Sequence, residues 1–188
     1  MRRVADREDV DEATARRDAQ AVFTALAIAV APGELRDMTA QLSSDFDSLL
    51  DVVRLNADRA IAQNPLVARV AELASVDPAR ARRAVEAVLE TLAVRVSEGQ
   101  VEDLMARLPP DLASPLERGL AESRQATRMS LQEFLGRVAK REDVKTDDAE
   151  RHARAVFAAL SELVSGKEIH DVESELPREY AQLFSGIV

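Results

Sequence analysis

Cysteine and tryptophan are both absent from the 188 residues. The first absence excludes disulfides, thiolate metal sites and cysteine nucleophiles, and it fits a reducing compartment. The second, with a single tyrosine (Tyr180) and 3% aromatic residues, means that any core must be filled by Leu, Val, Ala and a few Phe. Only 6 Gly and 7 Pro punctuate the chain. Few breakers and few β-rich runs favour helix throughout. No N-terminal stretch has the basic, apolar and small-residue order of a signal peptide. The longest apolar run, residues 25–32, is too short to span a bilayer. The expectation is a soluble cytoplasmic protein with no membrane partner.

Positive charge is also in deficit, with 25 Lys and Arg against 34 Asp and Glu and a net charge of -9. Neutralising a nucleic-acid backbone needs clustered Lys and Arg, and acids interrupt local basic clusters such as Arg80, Arg82 and Arg83. No nucleic-acid partner is expected. The basic residues are nearly all Arg and Ala is abundant, a bias typical of a GC-rich bacterial genome.

The sequence does contain repetition. Arg3-Val4-Ala5, Arg69-Val70-Ala71 and Arg137-Val138-Ala139 start three copies of one unit about 66 residues long. The first and last copies share Arg-Glu-Asp-Val at Arg7 to Val10 and Arg141 to Val144, and Ala-Val-Phe at Ala21 to Phe23 and Ala155 to Phe157. Roughly 20 of about 48 aligned positions are identical between them, far above chance for unrelated helices. The fold class is therefore all-α: three tandem four-helix units packed as a helical bundle or short solenoid. The units span residues 1–62, 63–128 and 129–188, the second and third together forming one compact body.

Each copy divides at recognisable signals. Ser130-Leu-Gln-Glu133 is a capping box, and Asn64-Pro65 supplies the equivalent start in the middle copy. The first copy has nothing matching Leu131, Phe134 and Leu135. Its leading helix is then truncated, or the true start of the protein lies upstream. The long second helix carries the core stripe: Val22, Phe23 and Leu26; Val88, Leu89 and Leu92; Val156, Phe157 and Leu160. Their helical spacing keeps one face against a core. Gly33, Gly99 and Gly166 mark the next turn, where glycine would supply backbone freedom. A short third helix and a fourth helix opened by Ser43-Ser44, Pro109-Pro110 or Pro177-Arg178 complete each unit. The fourth helix presents Phe46, Leu112 or Tyr180, and in the first two copies it is expected to run on, through Leu49 to Ala62 and Leu116 to Ala126.

Phe134-Leu-Gly-Arg-Val-Ala139, a long Ala-rich helix, Gly166, Asp171, Leu176-Pro177 and Leu183-Phe184 make a recognisable layout. It resembles the bacterial proteins grouped as domain of unknown function family 2267. The likeness covers nearly the whole chain, most cleanly Ser130 to Phe184. It implies a soluble helical fold and bacterial origin, and it carries over no catalytic residues.

Three charged positions recur in every copy: Arg3, Arg69 and Arg137; Arg17, Arg83 and Arg151; Asp37, Asp103 and Asp171. The expected role is an Arg–Asp pair inside each unit, tying the first or second helix to the third. A thrice-repeated recognition face for a charged partner is the alternative. His152 and His170 lack the spacing of a metal pair and are expected on the surface, with no metal or cofactor implied. Paired acids such as Asp147-Asp148 fall on first helical turns, where the helix dipole accommodates them. No nucleophile elbow or phosphate loop is present. The chain therefore reads as a non-enzyme. The first functional reading is a protein–protein interaction or assembly module, with self-association as a homodimer. The alternative is a small-ligand binder with an apolar pocket between units, and a DNA-binding regulator comes third, opposed by Asp45, Asp47 and Asp51 on its recognition helix.

Overall fold

Asp9, Ser75 and Asp143 are left-handed, with φ of 55°, 54° and 59°, and each ends the leading helix of its segment. The chain closes alike after all three: the N–H groups of Val10, Val76 and Val144 donate to the carbonyls of Ala5, Ala71 and Ala139 at 3.2, 3.1 and 3.0 Å. This is the Schellman closure, in which an apolar residue follows the left-handed one. Asp and Ser hold those positions without glycine, although glycine would carry no steric cost there.

The computed structural model describes residues 2–29, 39, 41–123 and 125–184, and every regular element among them is helical. The chain divides into two compact units, Met1–Ile61 and Ala62–Val188. The first holds α1 (Arg2–Glu8), α2 (Glu12–Ala29), a 3-10 turn (Ser44–Phe46) and α3 (Asp47–Gln63), whose last residues belong to the second unit. Asp11 starts α2 by accepting from the N–H groups of Ala13 and Thr14, both at 2.9 Å. The core of this unit is Leu49, Leu50 and Val53, with Ala19, Phe23, Ala27, Leu42 and Phe46 packed against them.

The second unit contains two runs of the same element order. The middle segment gives α4 (Pro65–Ala74), α5 (Pro78–Arg95), α6 (Glu98–Arg107), a 3-10 turn (Pro110–Leu112) and α7 (Ala113–Glu122). The last segment gives α8 (Leu131–Glu142), α9 (Thr146–Leu163), α10 (Gly166–Glu175), a 3-10 turn (Arg178–Tyr180) and α11 (Ala181–Phe184). Asn64 caps α4 by accepting from Leu66 N at 3.0 Å and Val67 N at 3.2 Å, and Ser130 and Glu133 form the capping box of α8. Leu112 N donates to Pro109 O and Tyr180 N to Pro177 O, both at 2.9 Å, so the two 3-10 turns close at matching places.

These two segments clasp each other. The long helices α5 and α9 pack together, while α4 lies on α9 and α8 on α5, so each leading helix covers the other segment's long helix. The third helices repeat the reciprocity. Glu175 at the end of α10 accepts from Ser97 N at 2.7 Å and Ser97 Oγ at 2.6 Å, at the start of α6. Arg107 at the end of α6 pairs with Glu168 in the first turn of α10 at 3.0 Å. Among the described residues, the aromatic contacts lie in the last segment, where Tyr180 meets Phe134, Phe134 meets Phe157 and Phe157 meets Phe184.

Three expectations need correction. Gly99 and Gly166 sit in the first turns of α6 and α10, and no described glycine has positive φ, so the left-handed work falls to Asp9, Ser75 and Asp143. Helix α7 stops at Glu122, where Ser123 turns extended, and does not reach Ala126. Val22 of the first core stripe is 60% exposed, and Phe23 and Leu26 are half-buried. By contrast, Val88, Leu89, Leu92, Val156, Phe157 and Leu160 are buried. They lie on α5 and α9, which pack against each other and against the leading helices of both segments. Gly33 and Asp37 lie outside the described residues.

Candidate functional site

Several ion pairs of the second unit run across the clasp. Arg69 on α4 grips both carboxylate oxygens of Glu162 on α9, at 2.7 and 2.8 Å, and also reaches Glu72. Arg137 on α8 meets Glu122 of α7 at 2.8 Å. Arg141, one turn later, reaches Glu90 at 2.8 Å, Thr91 Oγ1 at 3.0 Å and Glu122 at 2.5 Å. The side chain of Arg141 is well sheltered, and a shared, partly desolvated guanidinium fixes register more firmly than an exposed pair. With Arg118 it holds the Glu90 carboxyl below the usual range, against the opposing effect of burial.

The expected Arg–Asp pairs inside each unit are not formed among the described residues. A leading helix lies against the other segment, so Arg69 and Arg137 meet glutamates there and not an aspartate on their own third helix. Asp103 is exposed, and Asp171 offers its carbonyl to Ser174 Oγ at 2.8 Å. Arg151 pairs with Asp148 one turn earlier on its own helix. Arg17 donates to Thr14 Oγ1 at 3.0 Å, Arg3 is exposed, and Arg83 is half-buried.

Sequence reasoning missed two clusters of buried polar groups. Arg82, read as part of an interrupted surface cluster, is 5% exposed. It bonds Glu86 at 2.6 Å, the Asp111 carboxylate at 2.5 Å and the Asp111 carbonyl at 2.6 Å, while Asn64 Nδ2 donates to the same carboxylate at 3.0 Å. This network joins the start of α4, α5 and the 3-10 turn. His152, expected on the surface, is 4% exposed and lies 2.5 Å from Glu142, itself buried at the end of α8. Burial pushes the Glu142 carboxyl above its ordinary range, with His152 and Arg83 opposing, and its Oε2 has no hydrogen-bond partner. The corresponding residues elsewhere are Glu8 with Asp18 and Ala74 with Ala84, so no pattern across the copies could signal the pair.

The outer face of α2 is the feature that stands apart. Ala21, Val22 and Ala25 are exposed, with Asp18 extending the same face at helical spacing. Aligned with them on α5 are Ala84, Ala87, Val88 and Thr91, and on α9 His152, Ala155, Val156 and Ala159, every one buried. One stripe is covered twice and open once.

Among the described residues, no group of three or more His, Asp or Glu could hold a metal ion, and His170 is exposed. No described helix is long and apolar enough to cross a membrane. No curated protein matches the chain. A sequence model of the family described as "Uncharacterized conserved protein (DUF2267)" matches residues 1–49 and 63–183, its interruption falling where the two compact units divide, and the chain belongs to that family.

Proposed function

We propose that this protein is a cytoplasmic assembly module made of three tandem four-helix units, which works by pairing unit with unit and performs no catalysis. The face of α2 carries the reading. Its equivalents on α5 and α9 are buried in the unit where the middle and last segments clasp each other, while Val22 stays 60% exposed. A small apolar stripe on a helix gains stability by being covered, as its equivalents on α5 and α9 are. The matching element order, Schellman closures and 3-10 turns of the segments support treating the three as copies of one unit.

The test is the size of the tagged chain in its native lysate. The reading expects elution well above the chain's 20.6 kDa, and collapse to the single-chain position when Val22 becomes Glu. A parent chain that already elutes as a single chain defeats the proposal.

A further inference from the structure

The clasp of α5 with α9 relates two similar sequences by an approximate twofold. Each leading helix covers the other's long helix, and the end of each third helix meets the start of the other. An interface of this kind is self-complementary: the same patch serves on both sides. A third sequence of the same pattern whose equivalent stripe is open therefore has an obvious match in another molecule of itself. We infer that the first unit pairs with the first unit of a second copy of this chain, α2 against α2, in the manner of α5 against α9. The inference rests on the assembly reading and names its partner.

Three features of the chain favour a second copy as the occupant. The exposed stripe is built of Ala21, Val22 and Ala25, small residues matched by the buried Ala87 and Val88 on α5 and by Ala155, Val156 and Ala159 on α9. The first copy is nearest in sequence to the last, roughly 20 of about 48 positions, so it presents close to the surface that already pairs with the middle segment. Arg7 occupies the place of Arg141, the residue that crosses to Glu90 and Glu122, and in the first unit it is exposed. The other two faces of this type, on α5 and α9, are already buried within the chain.

The absence of native cysteine makes the test clean, since one introduced thiol reports alone. Purified protein is examined by light scattering across a concentration series, and Val22→Cys is exposed to mild oxidation. The expected results are a mass rising from 20.6 kDa towards twice that value and a disulfide-linked dimer for Val22→Cys. Asp103→Cys, on an exposed face of α6, should remain uncoupled. Val22→Glu should hold the chain at a single-chain mass while leaving its melting curve in dilute solution unchanged, because Val22 is already open to water. A purified chain of single-chain mass at every concentration, or a dimer that survives Val22→Glu, overturns the inference. If that single-chain result accompanies a large, Val22-dependent species in native lysate, the homotypic partner is wrong and the assembly reading stands. Small species in both settings remove both.

Discussion

Gly119 of α7 crosses α5 so closely that a β-carbon added there would lie 2.4 Å from the Glu90 carbonyl oxygen and 2.5 Å from the Ala93 β-carbon. Both obstacles are fixed parts of a buried helix, and neither can swing aside. Placing Ala at an ordinary helix interior gains about 1 kcal/mol over Gly. Here that gain is overridden, since overpacking a tight contact costs about 1–3 kcal/mol. Gly119→Ala should therefore lower the denaturant midpoint of the second unit. A midpoint at or above that of the parent would show that α7 shifts without cost.

The network around Arg82 makes a second prediction. Its guanidinium is nearly enclosed and joins Glu86, Asp111 and, through Asp111, the Asn64 cap of α4. Removing one member of a buried ion pair costs about 3–5 kcal/mol when the other charge is left uncompensated. Asp111 keeps partial contact with water and its bond to Asn64, which places Arg82→Met near the lower bound, at about 3 kcal/mol. Asn64→Ala in the Arg82→Met background should then cost less than in the parent, because the two act through one carboxylate. Strict additivity in that double-mutant cycle would break the network apart.

These two sites show what the sequence can and cannot disclose. Helices were legible because apolar spacing is a local property: Ala81, Val85, Val88 and Leu92 mark a buried face wherever the helix lies. Caps were legible for the same reason, as at Asn64 and Ser130. The clasp was not, because it depends on which segment a helix meets. Arg69 looked like a partner for Asp103 on its own segment, yet it holds Glu162 on the other. Gly119 reads as a helix weakener until α5 is laid beside it. His152 and Glu142 carry no repeated signal, and Arg82 looks like one more surface arginine among Arg80 and Arg83.

Glu142 and His152 yield a pH-dependent prediction. The folded-state proton affinity of Glu142 is raised above the ordinary 4.5, chiefly by burial, with the His152 and Arg83 charges opposing and Asp148 adding to the rise. The folded chain therefore holds this proton to higher pH than the unfolded chain. That contribution is complete below the unfolded value and is lost as pH rises through the folded one. Glu142→Gln retains an acceptor for His152 and removes the charge. Its melting temperature relative to the parent should climb as pH increases from acid towards neutral. A difference that stays flat, or falls, would mean that the pairing with His152 outweighs burial.

Tyr180 offers the complementary case at alkaline pH. Its ring is buried against Phe134, its hydroxyl donates to the carbonyls of Met129 at 3.1 Å and Ser130 at 3.2 Å, and Arg95 lies over the ring 5.9 Å from its centre. Burial pushes the phenol from 10.0 up to about 12, and Arg95 restrains the rise. The raised value means that stability from the neutral phenol is complete below pH 10 and is lost as pH climbs towards 12. Tyr180→Phe should cost about 0.5–1.5 kcal/mol at neutral pH, the net worth of such hydrogen bonds. It should also flatten the decline between pH 10 and 12 relative to the parent. Two stability curves that run parallel through that window would show that Tyr180 ionises as readily folded as unfolded, and that its hydroxyl is not held where the carbonyls of Met129 and Ser130 meet it.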